Sequence, residues 1–271
     1  MSISLKPSPS APRDYTFIPA GASDKRSPCP ALNALANHGY LPRRGTQITF
    51  THLLHAIKSV YNLSLPLAFL LTLVGFLTCA KFSLRLRAHT PLSSPSSLSQ
   101  RAQQLCRGHR WRISLSWTLN LADLSARGWT KIAHDGSLVH ASGAPSHAPD
   151  PALLSNFLAA AAAESSPREE TGLTLNALAA IHATRAQHLN SFHEQIASGE
   201  CALGWLVMRN PKTGVIDLET LKEWFGLERL PEGWWDMRPA RPVGLVEARK
   251  TAGEVQRLAK DCRRCSASTA R

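Results

Sequence analysis

The chain has 271 residues and a hydrophobic content of 44%, which excludes general disorder and is enough to build one domain around a sizeable core. Its six cysteines are too few and too scattered for a disulfide scaffold, and the pair Cys262 and Cys265 lacks the second pair that a zinc site needs. The net charge of +12 lies in residues 81–113 and 249–271, where few aromatic residues could stack on bases, so we expect no nucleic-acid partner.

The first 22 residues are polar and rich in proline, and they contain no apolar stretch of the kind that a signal peptide needs. We predict that residues 1–22 form a flexible segment, in which residues 15–19 lie extended against the core. The sequence leaves the cellular compartment open.

A cysteine between two prolines starts the next helix. Pro30 has a fixed φ and no N–H, which suits the first helical position and makes Cys29 the N-cap, while Gly39 supplies the left-handed end. The N–H groups of Ala31 and Leu32 can then point at the sulfur, and together with the helix dipole they favour thiolate over thiol. This geometry suits a metal ligand or a nucleophile, and the alternative is a structural cysteine in a turn.

The following segments differ in character. Residues 51–61 carry apolar side chains at helical spacing and predict an amphipathic helix. Residues 65–80 are almost continuously apolar but short for a membrane span of about 20 residues, so we interpret them as a buried core helix, with a membrane anchor as the alternative. Residues 85–115 contain no acid and no hydrophobic period, so we predict a disordered insertion.

Order is expected to resume with a helix at residues 119–125, which leads into a polar turn. Three side chains with hydrogen-bonding or metal-binding capacity, His134, Asp135 and Ser137, fall within four residues of this turn. Such a group can serve local capping, a metal ion or a catalytic relay, and the pattern does not choose among them.

The C-terminal half has a helical pattern. Residues 150–164 predict one helix, residues 174–198 one or two, and residues 217–225 a short amphipathic helix. Glu200 stands at the head of an otherwise apolar helix, either as a helix-start charge that the dipole favours or as a functional acid with a raised pKa. The tail from residue 247 is either a basic helix or disordered.

Three motifs together resemble the fungal haem-thiolate peroxidases, the family of the chloroperoxidases and unspecific peroxygenases, and within it the short chloroperoxidase-like class. They are the Pro-Cys-Pro signature around Cys29 with its Asn-His-Gly helix end, the His-Asp-Gly-Ser stretch that starts at His134, and the Gly-Glu pair that ends at Glu200. The Leu-Pro-Glu-Gly-Trp stretch at residues 230–234 resembles the family's closing segment. The resemblance covers about residues 15–245.

The resemblance implies an all-α fold, a multi-helix single domain with irregular loops that encloses haem b. We expect this domain to span residues 23–247, interrupted by the insertion, with the flexible N-terminal segment before it and a basic tail at residues 248–271 after it. It also implies that Cys29 is the axial thiolate ligand of the haem iron, with the N–H groups of Ala31 and Leu32 tempering the donation of electrons to iron.

On the opposite face of the haem, the resemblance implies that Glu200 takes a proton from hydrogen peroxide and returns it to the leaving oxygen. In the short class a histidine pairs with this acid, which here is His134. In the long class an arginine seven residues before the acid does so, and His193 holds that position as a second candidate. Ile196 and Leu203 are expected to line the substrate channel.

The resemblance also implies a Mg²⁺ or Mn²⁺ ion against a haem propionate, held by a glutamate, a backbone carbonyl and a serine. The family's Glu-His-Asp reads Ala133-His134-Asp135 here, so the glutamate is missing. The His134 carbonyl and the Ser137 hydroxyl remain, and Asp135 is the carboxylate that could substitute. Because a hard cation prefers anionic oxygen ligands, we expect this metal site to be weakened or absent.

We therefore expect a haem-thiolate peroxidase or peroxygenase, a monomer that uses hydrogen peroxide to oxidise or oxygenate small organic substrates, with halide oxidation as a side activity. Two alternatives stay open. One is a haem-binding homologue whose turnover is impaired by Ala133 and by the insertion. The other is a non-catalytic basic protein attached to a membrane through residues 65–80, which would purify without haem.

Overall fold

The computed structural model describes residues 14–88, 111–128, 130–143, 145–163 and 172–269. The helices of the described residues are α1 (Pro30–Asn37), α2 (Phe50–Val60), α3 (Leu65–Cys79), α4 (Pro151–Ala163), α5 (Leu175–Arg185), α6 (Ser191–Met208), α7 (Leu218–Leu221), α8 (Trp234–Met237) and α9 (Leu245–Thr269).

Short strands accompany the helices. They are β1 (Ile48–Thr49), β2 (Lys81–Ala88), β3 (Trp111–Leu119), β4 (Gly172–Leu173) and β5 (Ile216–Asp217). The first three form an antiparallel sheet in the order β1–β3–β2, and β4 pairs antiparallel with β5. A 3₁₀ turn at Leu121–Ser125 and a π turn at Lys222–Gly226 complete the regular structure. The fold is therefore mostly α-helical with small sheets, as the predicted fold class requires.

The helix α1 begins and ends as its sequence predicts. Cys29 is the N-cap in an extended conformation, and Pro30 is the first helical residue. At the other end Gly39 has a φ of +74°, which places it in the left-handed region that glycine adopts without strain. The residues from Asn33 to Asn37 are all buried, so this short helix lies inside the core rather than on the surface.

The described part of the N-terminal segment lies along α1. The backbone N–H of Ile18 donates to the carbonyl oxygen of Asn37 at 3.0 Å, and the rings of Tyr15 and Tyr40 stack with their centroids 4.2 Å apart. The expectation that residues 15–19 lie extended against the core is confirmed. Residues 1–13 of the predicted flexible segment lie outside the described residues.

The apolar helix α3 has one buried and one exposed side. The buried side chains include Leu67, Thr72 and Phe76, whereas Leu77 on the opposite side is 69% exposed. Among the helices of the described ranges, none is long and apolar enough to cross a membrane. The interpretation of residues 65–80 as a core helix therefore holds for one side of α3.

The predicted disordered insertion at residues 85–115 differs from the structure at both of its ends. Residues 85–88 belong to β2 and residues 111–115 to β3, which pair from Lys81 opposite Thr118 to Ala88 opposite Trp111. Apolar and polar residues alternate along both strands, with the period of two that β-strands favour. A search for helical periods alone misses this alternation. Residues 89–110 of the expected insertion lie outside the described residues.

The basic C-terminal segment forms the long helix α9, which packs against α5 and α6. Val255 and Ala259 are fully buried, and the Arg263 guanidinium pairs with the Glu194 carboxylate of α6 at 2.8 Å. Of the two alternatives for this tail, helix and disorder, the structure has the helix. Residues 248–269 are thus continuous with the core that we had assigned to residues 23–247.

The segment between α7 and α9 wraps back over α1 and α2. The indole N–H of Trp234 donates to the carbonyl oxygen of Val60 at 3.1 Å, and the side-chain amide of Asn62 donates to the carbonyl oxygen of Pro239 at 2.7 Å. Next to these contacts the hydroxyl of Tyr61 donates to the carbonyl oxygen of Ala31 at 2.6 Å. These hydrogen bonds fix the start of α1 against the C-terminal part of the chain.

Gly45 is required by the packing of the turn that follows α1. Its φ is +65°, and a Cβ there would lie 2.0 Å from the carbonyl oxygen of Lys25. Gly45→Ala should lower the free energy of unfolding by about 1–3 kcal/mol from the backbone conformation alone, with the clash adding to this loss. Thermal or denaturant unfolding measures the change. The matched control is Gly253→Ala on the exposed face of α9, which should stabilise by up to about 1 kcal/mol. Equal effects of the two substitutions would contradict this assignment.

Candidate active site

The sulfur of Cys29 lies at the N-terminus of α1, where the backbone N–H groups of Leu32 and Ala31 favour negative charge on it, although its side chain accepts no capping hydrogen bond. Burial nevertheless raises the pKa of the Cys29 thiol to about 12, the charge of Glu200 adds to this rise, and the two amides act in the opposite direction. We expected the helix start to favour thiolate, but burial outweighs it. A thiol of this kind becomes a thiolate when a bound cation stabilises it, which fits a metal ligand better than a free nucleophile.

A buried hydrogen-bond network supports the other side of α1. Asn33 Nδ2 donates to Glu228 Oε1 at 2.6 Å, and Asn33 Oδ1 accepts from the backbone N–H of Ser27 at 2.9 Å. The Arg26 guanidinium donates twice to Asn37 Oδ1, at 2.6 and 3.0 Å. None of these residues is predicted from the sequence. The two asparagines one turn apart in an otherwise apolar helix are the only local signal of the network.

Among the residues of this network, Glu228 has the least favourable burial and backbone conformation. Its side chain is buried, and its backbone has a φ of +51°, an uncommon conformation for a residue other than glycine. Burial raises the pKa of the Glu228 carboxyl to about 7, although the hydrogen bond from Asn33 and the charge of Arg26 act against this rise. Nothing in the local sequence marks this glutamate as buried.

Glu200 lies in the middle of α6 rather than at a helix start. The helix begins at Ser191, and its N-cap Asn190 accepts a hydrogen bond from the backbone N–H of His193. The helix dipole acts mainly within the first turn, so it does not explain an acid nine residues further on. Ile196 and Leu203 are partly exposed and share the face of Glu200 by their spacing of four and three residues.

The structure brings Glu200 and His134 together. His134 Nε2 lies 3.4 Å from Glu200 Oε2; the histidine side chain is 3% exposed and that of the glutamate is 60% exposed. Burial alone would lower the pKa of His134, but the nearby charge of Glu200 raises that pKa above the ordinary value. A distance of 3.4 Å is longer than an ideal charged hydrogen bond, so this contact is a close electrostatic pairing.

His193 lies beside this pair and has other partners. Its Nε2 is 3.1 Å from the carbonyl oxygen of Lys131, its Nδ1 is 3.2 Å from the side-chain nitrogen of Asn190, and its ring centroid is 6.0 Å from that of His134. Both histidines line a cavity of about 360 Å³. His134, and not His193, is therefore the histidine in contact with Glu200.

The residues expected to hold a divalent cation have other partners. Asp135 Oδ1 accepts from the backbone N–H of Gly143 at 2.7 Å and from the Arg127 guanidinium, and these contacts lower the pKa of the Asp135 carboxyl. The Ser137 hydroxyl accepts from the backbone N–H of His140 at 3.2 Å. Among the described residues, no cluster of three or more histidine, cysteine, aspartate or glutamate side chains could hold a metal ion. The site does not fit Mg²⁺ or Mn²⁺.

Arg185 was not predicted, and it contacts the same loop. This last residue of α5 donates from Nε to the carbonyl oxygen of Ser137 at 2.8 Å. From Nη2 it donates to the carbonyl oxygens of His140 and Asp135, at 3.1 and 3.3 Å, and to the hydroxyl of Ser142 at 3.2 Å. Because the contacts are made across 43 to 50 residues of sequence, no local pattern could reveal them.

Comparison with known proteins agrees with the motifs. A family model described as "Peroxidase, family 2" matches residues 15–238. A chloroperoxidase of Leptoxyphium fumago is 45% identical over 60 residues, which are 20% of this chain and 16% of the relative. An aromatic peroxidase of Fusarium equiseti, fscJ, is 44% identical over 63 residues, which are 22% of this chain and 14% of the relative. An aromatic peroxygenase of Coprinellus radians is 45% identical over 49 residues, 18% of either chain. The chain thus spans less than a fifth of the length of these relatives.

The buried carboxyl of Glu228 leads to a prediction about pH. Its pKa in the folded protein lies above that of an exposed glutamate, so the folded state binds the extra proton and loses stability as the pH rises from about 4.5 to about 7. Glu228→Gln keeps an acceptor for Asn33 and removes this titration. We expect the variant to gain stability relative to the wild type by up to about 3 kcal/mol between pH 4.5 and 7.

Denaturant unfolding at several pH values measures this difference. Taking the difference between the two proteins cancels the other groups that titrate in both, such as the buried His140 and His182. Glu219→Gln, at an exposed carboxylate of α7, is the control and should show no such trend. A difference that stays constant with pH would mean that the Glu228 carboxyl is not raised in pKa.

Proposed function

The chain belongs to peroxidase family 2, and from this membership and the arrangement of the site we propose that it is a haem-thiolate peroxidase or peroxygenase. In this proposal it uses hydrogen peroxide to oxidise or oxygenate small organic substrates. The observation that carries the proposal is the pairing of Glu200 with His134 at 3.4 Å, on a helix face near enough to Cys29 for the Glu200 charge to raise the pKa of its thiol.

Membership of this family of haem peroxidases implies haem as the cofactor. The residues at Cys29 fit such a group, because a sulfur that lies beside the N–H groups of a helix start and is a thiol on its own needs a cation to become thiolate. We propose that Cys29 would hold the haem iron through its sulfur, with the N–H groups of Ala31 and Leu32 tempering the charge on that sulfur. Bound haem supplies the redox chemistry, and a thiolate ligand favours cleavage of the O–O bond of peroxide.

Glu200 is the proposed acid–base residue. Its carboxylate is mostly exposed on the face of α6 that meets His134, so it can take a proton from one oxygen of hydrogen peroxide and return it to the leaving oxygen. His134 Nε2 lies 3.4 Å from Glu200 Oε2, so the imidazole is placed to orient the carboxylate. A divalent cation has no part in this proposal, since the donors around Ser137 do not fit one.

Ile196 and Leu203 are the proposed lining of the substrate approach. Both flank Glu200 on α6 and are partly exposed, so they present an apolar surface to a small organic molecule. Because relatives are named chloroperoxidase and aromatic peroxygenase, we include halides and aromatic molecules among the candidate substrates.

The proposed ligand is tested by spectroscopy of the protein expressed with haem supply. The reduced carbon monoxide complex of the wild type should give a strongly red-shifted Soret band, as thiolate-ligated haem does, and Cys29→Ala should lose it. Cys265→Ala, at an exposed cysteine of α9, should keep the band. Unchanged spectra of Cys29→Ala would overturn the assignment of the ligand, and a wild type without haem would overturn the proposed function.

The proposed acid–base role is tested by Glu200→Gln. We expect peroxide-driven turnover to fall by roughly 10²- to 10⁴-fold while haem and its Soret band are retained, because an amide cannot carry the proton. His134→Gln should also lower turnover, and by more than His193→Gln, since His134 is in contact with Glu200. The control Glu219→Gln should leave turnover unchanged. Full activity of Glu200→Gln would show that another group moves the proton.

A further inference from the structure

The loop at residues 130–143, which carries His134, has no helix or strand of its own among its described residues. The orientation of the His134 ring therefore depends on the hydrogen bonds that hold the loop. Two groups supply them. Asp135 is held on its carboxylate by Arg127 and by the Gly143 amide, and the backbone carbonyls of the loop are held by Arg185.

The guanidinium of Arg185 makes its four hydrogen bonds to uncharged oxygen atoms, three backbone carbonyls and one hydroxyl. These are atoms of the type that a hard metal ion coordinates. A guanidinium is planar, keeps its positive charge at every relevant pH and fixes the direction of each acceptor as well as its position. The Arg185 guanidinium, a cation that is part of the chain, thus binds oxygen atoms of Asp135, Ser137, His140 and Ser142 at one point of the loop.

One of these hydrogen bonds acts on His134 through a single peptide group. The carbonyl oxygen of Asp135, which accepts from Arg185, belongs to the same peptide group as the N–H of Gly136. A peptide group is planar and trans, so its carbonyl and N–H point in opposite directions. The Gly136 N–H in turn donates to His134 Nδ1 at 3.1 Å. Fixing the carbonyl with Arg185 therefore aims the N–H at the imidazole.

This N–H selects one tautomer of the neutral histidine. An N–H that donates to Nδ1 requires a lone pair on that nitrogen. The proton of the neutral imidazole is therefore on Nε2. Nε2 is the atom that faces Glu200 Oε2. Hydrogen bonds thus run from the Arg185 guanidinium through the peptide between Asp135 and Gly136 to His134, whose Nε2 lies 3.4 Å from Glu200 Oε2.

We infer that Arg185 is a positioning residue that serves as the built-in cation of the site, fixing the Nε2–H tautomer of His134 against Glu200 in place of a divalent metal ion. The inference rests on the proposed function for its consequence in turnover, but the tautomer itself does not depend on peroxide chemistry. It also accounts for Ala133, because a loop organised by an arginine does not need a carboxylate for a metal ion at that position.

The experiment combines a double-mutant cycle with nuclear magnetic resonance of the haem-loaded protein. Arg185→Met should lower kcat/KM for hydrogen peroxide by about 10- to 100-fold with haem and its Soret band retained, as loss of a supporting hydrogen bond typically does. In a His134→Gln background the same change should have little further effect, since Arg185 acts through His134. If the fold-losses of Arg185→Met and His134→Gln instead multiply in the double variant, the inference is overturned.

Two matched variants serve as controls. Arg238→Met removes another arginine that donates to a backbone carbonyl, that of Ser59, far from the His134 loop, and it should leave kcat/KM unchanged. Arg185→Lys keeps the charge without the planar fork, so it should restore only part of the lost activity. Full activity of Arg185→Met would contradict the inference.

The tautomer is read from ¹⁵N-labelled histidine in the diamagnetic ferrous carbon monoxide complex, at a pH above the raised pKa of His134. The wild type should show His134 with its proton on Nε2, and Arg185→Met should show a mixture of tautomers. Chelators should not change the wild-type turnover or spectrum. An unchanged tautomer in Arg185→Met, or a wild type that needs Mg²⁺ or Mn²⁺, would overturn the inference. A wild type whose reduced carbon monoxide complex does not show the red-shifted Soret band would instead count against the proposed function.

Discussion

Two opposing effects at the start of α1 govern the rest of the site. The N–H groups of Ala31 and Leu32 stabilise negative charge on the Cys29 sulfur, whereas its burial destabilises that charge by more, and the pKa of the thiol rises to about 12. The helix start therefore fixes the position of the Cys29 sulfur and moderately stabilises negative charge on it, without producing a free thiolate. A sulfur of this kind suits a partner that brings its own positive charge, and the rest of the structure then has to hold the sulfur still.

The support of α1 comes largely from distant parts of the chain. Asn33 and Glu228 are 195 residues apart in sequence, and their hydrogen bond lies in the interior. Leaving Asn33 or Asn37 without a partner there would cost more than the hydrogen bond itself, because a buried polar group loses its water as well. Glu228 keeps its left-handed backbone and its raised pKa for the same reason, since its side-chain and backbone oxygens satisfy both asparagines. The C-terminal wrap is thus part of the support for Cys29.

The parts of the structure that could be predicted are those with local causes. Cys29 as N-cap, Gly39 as helix end and the apolar periods of the helices follow from neighbouring residues, and the motifs around Cys29, His134 and Glu200 were sufficient for the family resemblance. The position of Glu200 within α6 was missed because the polar residues before it hide the start of the helix at Ser191. The pairing of β2 with β3 was missed because the apolar residues of these strands repeat with a period of two.

Arg185 and Glu228 could not have been found from the sequence for a different reason. Each acts through contacts with residues at least 43 positions away, and each is flanked by ordinary sequence. A sequence pattern identifies a residue whose neighbours share its task, as the prolines around Cys29 do. It gives no signal for a charged side chain whose partners are brought to it by the fold.

The long helix α9 connects these observations, although residues 245–269 lie beyond the stretch that the family model matches. It packs on α5, which ends in Arg185, and on α6, which carries Glu200, and its Arg263 pairs with Glu194 of α6. Arg185 and Glu200, which lie on either side of His134, therefore belong to helices that share a third helix as their support. A divalent ion would join only the loop to its ligands, and its occupancy would depend on the free concentration of the metal. An arginine on α5 instead ties the loop to the same helical layer that holds the acid, so that the distance between His134 and Glu200 is set by helix packing.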